Sequence, residues 1–265
     1  MRPTEYEPGT PSWADVASPD PDAARAFYRD LFGWTGEPAP EPEAGGYTVM
    51  MRGDAAAAGL GPVWDDMPAH WNTYVTVADA DAATAAAAEA GGQVMMEPMD
   101  VLDAGRMAVI ADPSGAALSL WQPRSHIGAE VRMEPNSMCW AELNTRDPDS
   151  AQAFFSTLFG WEGEQVAGPA EEGGPGFDYL MLKLGDTPIG GIMTMDENWP
   201  ADVPPHWMIY FAVENCDAAA ERVTELGGEV CVPPTDIPPG RFAVVGDPHG
   251  ATFTIIALDP EMFAE

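Results

Sequence analysis

Basic residues are scarce in this 265-residue chain. Eleven Lys and Arg stand against 43 Asp and Glu, a formal net charge of −32. A surface of that sign repels phosphate backbones and anionic lipid headgroups, which excludes nucleic acid and membrane surfaces as expected partners. Cysteine is scarce too. Cys139, Cys216 and Cys231 are odd in number and lack CxxC or CxxH spacing, so neither a disulfide framework nor a thiolate zinc site has support, and a reducing, cytoplasmic compartment is expected. The N-terminal MRPTEYEPGTPSW has no apolar signal region, and no run of about 18 apolar residues occurs, so neither secretion nor a membrane span is expected. A Gly-rich phosphate loop, a G-x-S-x-G elbow and a cysteine nucleophile signature are also missing. What is present is apolar: 46% hydrophobic and 9% aromatic residues, enough for one large domain or two small ones.

The chain repeats itself. WADVASPDPDAARAFYRDLFGW from Trp13 returns as WAELNTRDPDSAQAFFSTLFGW from Trp140, PAHW at 68–71 as PPHW at 204–207, and GRMAVIADPSGA at 105–116 as GRFAVVGDPHGA at 240–251. The offsets are 127, 136 and 135, so the second copy carries about nine extra residues, placed in the acidic loop GPAEEGGPG between Trp161 and His206. Within each copy a short alternating strand precedes a helix capped by Asp20 and started by Pro21, with Ala24, Phe27 and Leu31 on one face and a stop at Gly33. HWNTYVTV then opens a second strand–helix unit that ends at Gly91 and Gly92, and GRMAVIADPSGAALSLWQ supplies strands joined by a D-P-S-G turn. The order reads as βαβββ twice per copy, an α+β chain of four modules, with domains at 1–127 and 128–265.

These motifs, D-P-D-x-A-x-A-F-[YF]-x-x-L-F-G-W, the His-Trp strand with its Gly-Gly helix, and G-R-[MF]-A-V-[IV]-x-D-P-x-G-A, each present twice, resemble the vicinal oxygen chelate superfamily. That group includes glyoxalase I, bleomycin-resistance proteins and extradiol dioxygenases. The resemblance covers nearly the whole chain and implies two glyoxalase-like half-barrel domains related by a pseudo-twofold axis, without fixing the chemistry. The tandem arrangement is most similar to actinobacterial two-domain proteins, some of them linked to antibiotic biosynthesis or resistance. The metal-ligand positions that the resemblance implies are occupied by Trp13, Asn72 and Ser119 in the first copy and Trp140, Met208 and Thr254 in the second. Around Gly59 and Gly190 no carboxylate is offered either. No metal and no cofactor are therefore expected. A displaced set remains open, in which Asp15, Glu142, His70 and His206 converge; the plainer alternative has the histidines capping loop carbonyls and the carboxylates pairing locally. His126 and His249 are expected to face solvent.

Strand alternation lists the inward positions: Trp13 and Asp15, His70, Asn72 and Tyr74, Ser119 and Trp121, and in the second copy Trp140 and Glu142, His206, Met208 and Tyr210, Thr254 and Ile256. An aromatic lining with few polar groups is the usual make-up of a small-molecule site, although aromatics also simply fill barrels. Trp34 and Trp161, after F-G at helix ends, are expected to be packing residues. Acidic segments at 37–43 and 162–172 attract cations. The leading expectation is a metal-independent binding protein, monomeric or weakly dimeric, for an aromatic, cationic natural product in antibiotic sequestration, self-resistance or biosynthesis. If sites form across the copies, the preferred one contains Trp13, Asp15, Met208, Tyr210 and Thr254. The alternative is an isomerase, lyase or oxygenase acting on a carbonyl or polyketide substrate, with Asp15 or Glu142 as base and Tyr74 or Tyr210 as proton donor. A third class, an acidic protein-interaction module, explains the charge but leaves the inward aromatics unused.

Overall fold

The computed structural model describes residues 1–64, 67–167 and 178–259. Both copies build their first helix from the same local chemistry. Asp20 and Asp147 accept the backbone N–H of Ala23 and Ser150, and a proline follows each. They start α1 (Pro21–Phe32) and α3 (Pro148–Phe159), which end at left-handed Gly33 and Gly160; each such N-cap contributes about 1 kcal/mol. In the second unit of each copy, Asp79 caps α2 (Ala80–Glu89) and Asn215 caps α4 (Cys216–Glu225) in the same way.

The first copy forms one sheet from β1 (Pro11–Ser18), β2 (Thr48–Arg52), β3 (Ala55–Pro62), β4 (His70–Thr76), β5 (Gln93–Val101), β6 (Gly105–Ala111) and β7 (Ala117–Pro123), in the order β2-β3-β1-β4-β7-β6-β5. The second copy forms another from β8 (Ser137–Thr145), β9 (Glu162–Ala167), β10 (Asp178–Leu184), β11 (Thr187–Thr194), β12 (His206–Ala212), β13 (Glu229–Ile237), β14 (Gly240–Gly246) and β15 (Thr252–Leu258), in the order β13-β14-β15-β12-β8-β11-β10-β9. The result is α+β, two glyoxalase-like half-barrels. The first module has no full counterpart of β9, only a bridge between Thr35 and Met51.

The extra length of the second copy is shared between two places. Trp34 to Tyr47 spans 13 positions against 18 from Trp161 to Tyr179, and Tyr47 to His70 spans 23 against 27 from Tyr179 to His206. Only part of it therefore falls in the loop GPAEEGGPG, which lies outside the described residues. The rest lengthens the β11–β12 connection, which Arg146 fastens through the carbonyls of Val203 and Pro200 at 2.8 and 2.9 Å.

One face of each sheet joins the helices in a common core, where Tyr28, Phe32, Trp34 and Trp71 of one copy meet Phe211 and Phe253 of the other. Trp34 and Trp161 are fully buried, as packing residues should be. Their indole N–H groups cross between the copies symmetrically: Trp34 Nε1 donates to Asn136 O at 2.9 Å and Trp161 Nε1 to Gly9 O at 2.7 Å. Gly9 and Asn136 are themselves equivalent, both at positive φ (95° and 63°), donating to the carbonyls of Thr76 and Ala212. The opposite face of each sheet, the inner face of its half-barrel, carries a smaller cluster of its own. Trp13, Tyr74 and Trp121 form one, and Met208, Tyr210 and Ile256 belong to the other.

Candidate functional site

On the first inner face, strand pairing sets Asp15 of β1 opposite Asn72 of β4 on one side and Gly59 of β3 on the other. Asn72 Nδ2 donates to Asp15 Oδ1 at 2.9 Å, and the Tyr74 and Tyr47 hydroxyls donate to Oδ2 at 2.8 and 3.0 Å. Trp13 Nε1 in turn donates to the Tyr47 oxygen at 3.0 Å. Ser119 lies beside Tyr74 in the parallel register of β4 and β7. Tyr47 reaches this place because Gly59 has no side chain, as a Cβ there would stand 1.8 Å from the Tyr47 hydroxyl oxygen.

The second inner face repeats the cluster. Glu142 of β8 lies opposite Met208 of β12 and Gly191 of β11. Tyr210 donates to Glu142 Oε2 at 2.8 Å, and the polar side chains of Tyr179 and Asn144 stand beside the carboxyl group and favour its charged form. Trp140 Nε1 donates to the Tyr179 oxygen at 2.7 Å, and a Cβ on Gly191 would meet that hydroxyl oxygen at 2.1 Å. Met208 holds the place of Asn72, and the nearby carboxamide belongs instead to Asn144, two residues after Glu142 on β8. Thr254 sits beside Tyr210 across β12 and β15. Both carboxylates are buried and no cation adjoins Glu142 among the groups that shift it, so desolvation pushes Glu142 to about 7. Asp15 rises for the same first reason, its three hydrogen bonds and the charge of His70 opposing the rise. All four tyrosines are driven well above their ordinary value, first by burial and then by the adjacent carboxylate.

Several expectations change here. Trp13, Asp15, His70, Asn72, Tyr74, Ser119 and Trp121 share one sheet, while Trp140, Glu142, His206, Met208, Tyr210 and Thr254 share the other. The cross-copy grouping of Trp13 and Asp15 with Met208, Tyr210 and Thr254 does not form, because β1 pairs with β4 and β8 with β12, each within its own copy. For the same reason the two histidines and two carboxylates do not converge. His70 Nδ1 lies 2.8 Å from Pro68 O and His206 Nδ1 2.9 Å from Pro204 O, so both cap loop carbonyls. His126 is not a solvent-facing linker residue. It packs edge-on against Trp13 and Trp121, with ring centroids 4.5 and 5.8 Å away, and burial lowers its pKa. Tyr47 and Tyr179 are absent from the sequence-derived lining although each completes a cluster. Their shared signal is a glycine twelve residues downstream in both copies, Gly59 and Gly191.

A divalent metal does not fit either cluster. Hydroxyl and amide donors are aimed at each carboxylate where further ligands would be required, and no group of three or more His, Cys, Asp or Glu among the described residues could hold an ion.

The fold and these paired inner faces define a tandem glyoxalase-like protein. The first copy matches the Glyoxalase/Bleomycin resistance protein/Dioxygenase superfamily over residues 10–120 and the second a glyoxalase-like domain over residues 140–256, and the chain belongs to that superfamily. It is 42% identical over 264 residues to CFP32 of Mycobacterium tuberculosis (strain CDC 1551 / Oshkosh), a glyoxylase by name, covering 97% of this chain and 98% of the relative. It is 41% identical over 270 residues to the anthracycline biosynthesis protein DnrV of Streptomyces peucetius, covering 96% and 95%. Among solved structures, a Mn(II)-bound glyoxalase from Novosphingobium aromaticivorans superposes with a TM-score of 0.65 at 15% identity, covering 95% of this chain and 83% of the other. The 2,3-dioxygenase LapB from Pseudomonas sp. KL28 superposes with 0.63 at 16% identity, covering 95% and 94%. At such identities the likeness concerns the fold alone.

Proposed function

We propose that this chain is a metal-independent binding protein for an aromatic, cationic natural product, serving sequestration, self-resistance or an accessory step in the making of such compounds. The observation that carries the reading is the duplicated cluster, a desolvated carboxylate held by two phenols amid tryptophan and methionine on each inner face. Mostly apolar surface with a few placed polar groups suits a planar ligand. The relationship to an anthracycline biosynthesis protein at 41% identity over 96% of the chain supports a polycyclic aromatic ligand, and the net charge of −32 supports a cationic one. The protein works as a monomer or weak homodimer, since its two half-barrels already share one core.

Titration of tryptophan fluorescence with a cationic anthracycline and with a neutral planar polyketide tests the reading. Binding tighter than about 1 mM is expected, weakened about tenfold when a carboxylate of the ligand-bearing face is replaced in Asp15→Asn or Glu142→Gln and the ligand's amine is its partner. Absence of binding by both compounds would remove it. Elemental analysis of the purified protein is expected to find no stoichiometric Fe, Mn, Ni or Zn.

A second reading has its own support, because a carboxyl group at about 7 beside Tyr210 is poised for general acid–base work. On that reading the chain is an isomerase, lyase or oxygenase acting on a carbonyl or polyketide substrate. Turnover that is abolished in Glu142→Gln with binding retained would favour it.

A further inference from the structure

We propose that the chain has one ligand site, in the second half-barrel, because in the first the imidazole of His126 already holds the place of a planar aromatic ligand. The inference rests on the inner faces being ligand sites and adds which of the two receives the ligand.

His126 belongs to the segment that leaves β7 and leads into the second copy, and that segment lies across the first inner face. Its ring meets Trp13 with centroids 4.5 Å apart and planes at 83°, and Trp121 at 5.8 Å and 69°. These are the edge-to-face contacts that a bound aromatic compound would make. With the ring in place Trp13 is 3% and Trp121 6% exposed, so the two indoles have little surface left to offer. His126 Nε2 is buried with no hydrogen-bond partner among the described residues. The ring therefore serves there as an aromatic surface.

The segment is fastened on both sides of that ring. Trp121 Nε1 donates to His126 O at 2.9 Å, and the backbone N–H groups of Arg124 and His126 share the carbonyl of Ala104 at 3.0 and 3.1 Å. Farther along, Ala129 N donates to Ser12 O and Glu130 N to Ala56 O, both at 2.8 Å, and Ala56 N donates to Glu130 Oε2 at 2.9 Å. Between the two sets Gly128, at φ 112°, passes so close to β1 that a Cβ would stand 2.6 Å from Ser12 O. Each bond contributes only about 1 kcal/mol, but all of them act on one short segment. A ligand must displace it to reach either indole.

The second half-barrel lacks the two residues on which this arrangement turns. Past β15 the chain sets out on the same course, with Asp259 N donating to Pro239 O at 3.0 Å as Arg124 N does to Ala104 O. The 135-residue offset then puts Ile256 in the place of Trp121 and Glu261, outside the described residues, in the place of His126. Isoleucine has no N–H to hold a carbonyl, and a carboxylate loses its hydration where an imidazole packs. Trp140 is half-buried where Trp13 is covered, in a wall that Met208, Tyr210, Phe242 and Ile256 complete. Met208 adapts to the outline of a guest, whereas the first face has at that position Asn72, bonded to Asp15.

The test is proton–nitrogen correlation NMR of the intact chain, in which each tryptophan gives one indole N–H signal, with doxorubicin as the planar, cationic probe. In the native protein the Trp140 signal is expected to shift on titration, while those of Trp13 and Trp121 stay where they are. In His126→Gly, which removes the ring and loosens the segment that carries it, the Trp13 and Trp121 signals should shift as well, and Trp140 should titrate as before. If that variant does not fold, Trp121→Ile takes its place, since it removes the anchor of the His126 carbonyl and leaves Trp13 as the reporter. Shifts at Trp13 or Trp121 in the native protein, or their silence in the folded variant, would overturn the inference and leave the inner faces standing as ligand sites. Silence of all three signals in the native protein would overturn both.

Discussion

Glu142 shows at the scale of one residue what the inner face does to a charge. Its carboxyl group moves from 4.5 to about 7, chiefly through desolvation. The folded protein therefore prefers the protonated form, which contributes stability fully below about pH 4.5 and loses it as pH rises through about 7. A shift of this size corresponds to about 3 kcal/mol. Glu142→Gln keeps a neutral side chain at every pH, so its stability relative to the native protein should grow by about that amount between pH 5 and 8. Urea unfolding across the range measures it; a difference that stays constant would mean that the buried charge is relieved in some other way. A second residue-scale prediction comes from broken symmetry. Tyr28 donates to Asp247 Oδ2 and accepts from Trp71 Nε1, both at 3.1 Å. Phe155 stands at the equivalent place, and the equivalent atoms, Asp112 Oδ2 and Trp207 Nε1, are buried without partners. Phe155→Tyr should supply both with one hydroxyl and raise stability by about 1 kcal/mol. A lower melting temperature would show that the hydroxyl does not fit between them.

At the scale of elements, the clusters depend on glycines in β3 and β11. Gly59→Ala or Gly191→Ala places a methyl group within about 2 Å of a phenol oxygen, so the tyrosine must leave and its carboxylate loses a donor. A loss of about 2–4 kcal/mol is expected, together with a changed near-ultraviolet tryptophan signal, since Trp13 or Trp140 loses its acceptor. A melt unchanged from the native one would show that the tyrosine is not needed where it sits. The helices were legible in the sequence because their signals are local: an Asp cap, a Pro at the first turn, a Gly at the end. The inner-face residues of β1, β4, β7, β8, β12 and β15 were legible because alternation fixes which face a residue takes. Alternation does not say which strand lies next door, so it leaves open a site shared across the copies, which the pairing of β1 with β4 and of β8 with β12 excludes. Tyr47 begins its strand from a loop and is placed by a glycine on a different strand, a relation that no local pattern carries. His126 was misplaced for a similar reason, as its burial follows from where the connecting segment runs.

At the scale of the whole molecule, Trp34, Trp161 and Tyr28 each hydrogen-bond a residue outside their own repeat, and residues of both copies fill one core. Residues 1–127 expressed alone should therefore lack a fixed tertiary structure. A well-dispersed NMR spectrum from a stable monomer would contradict this. The crossed tryptophans have a further consequence, for heredity. Two separate identical subunits joined by such contacts would inherit every substitution twice, and whatever suited one cup would be imposed on the other. With both halves encoded in one reading frame, Asp15 can face Asn72 while Glu142 faces Met208, and Trp121 can have Ile256 as its twin. Each cup is free to take on separate work while its sibling keeps the pair upright.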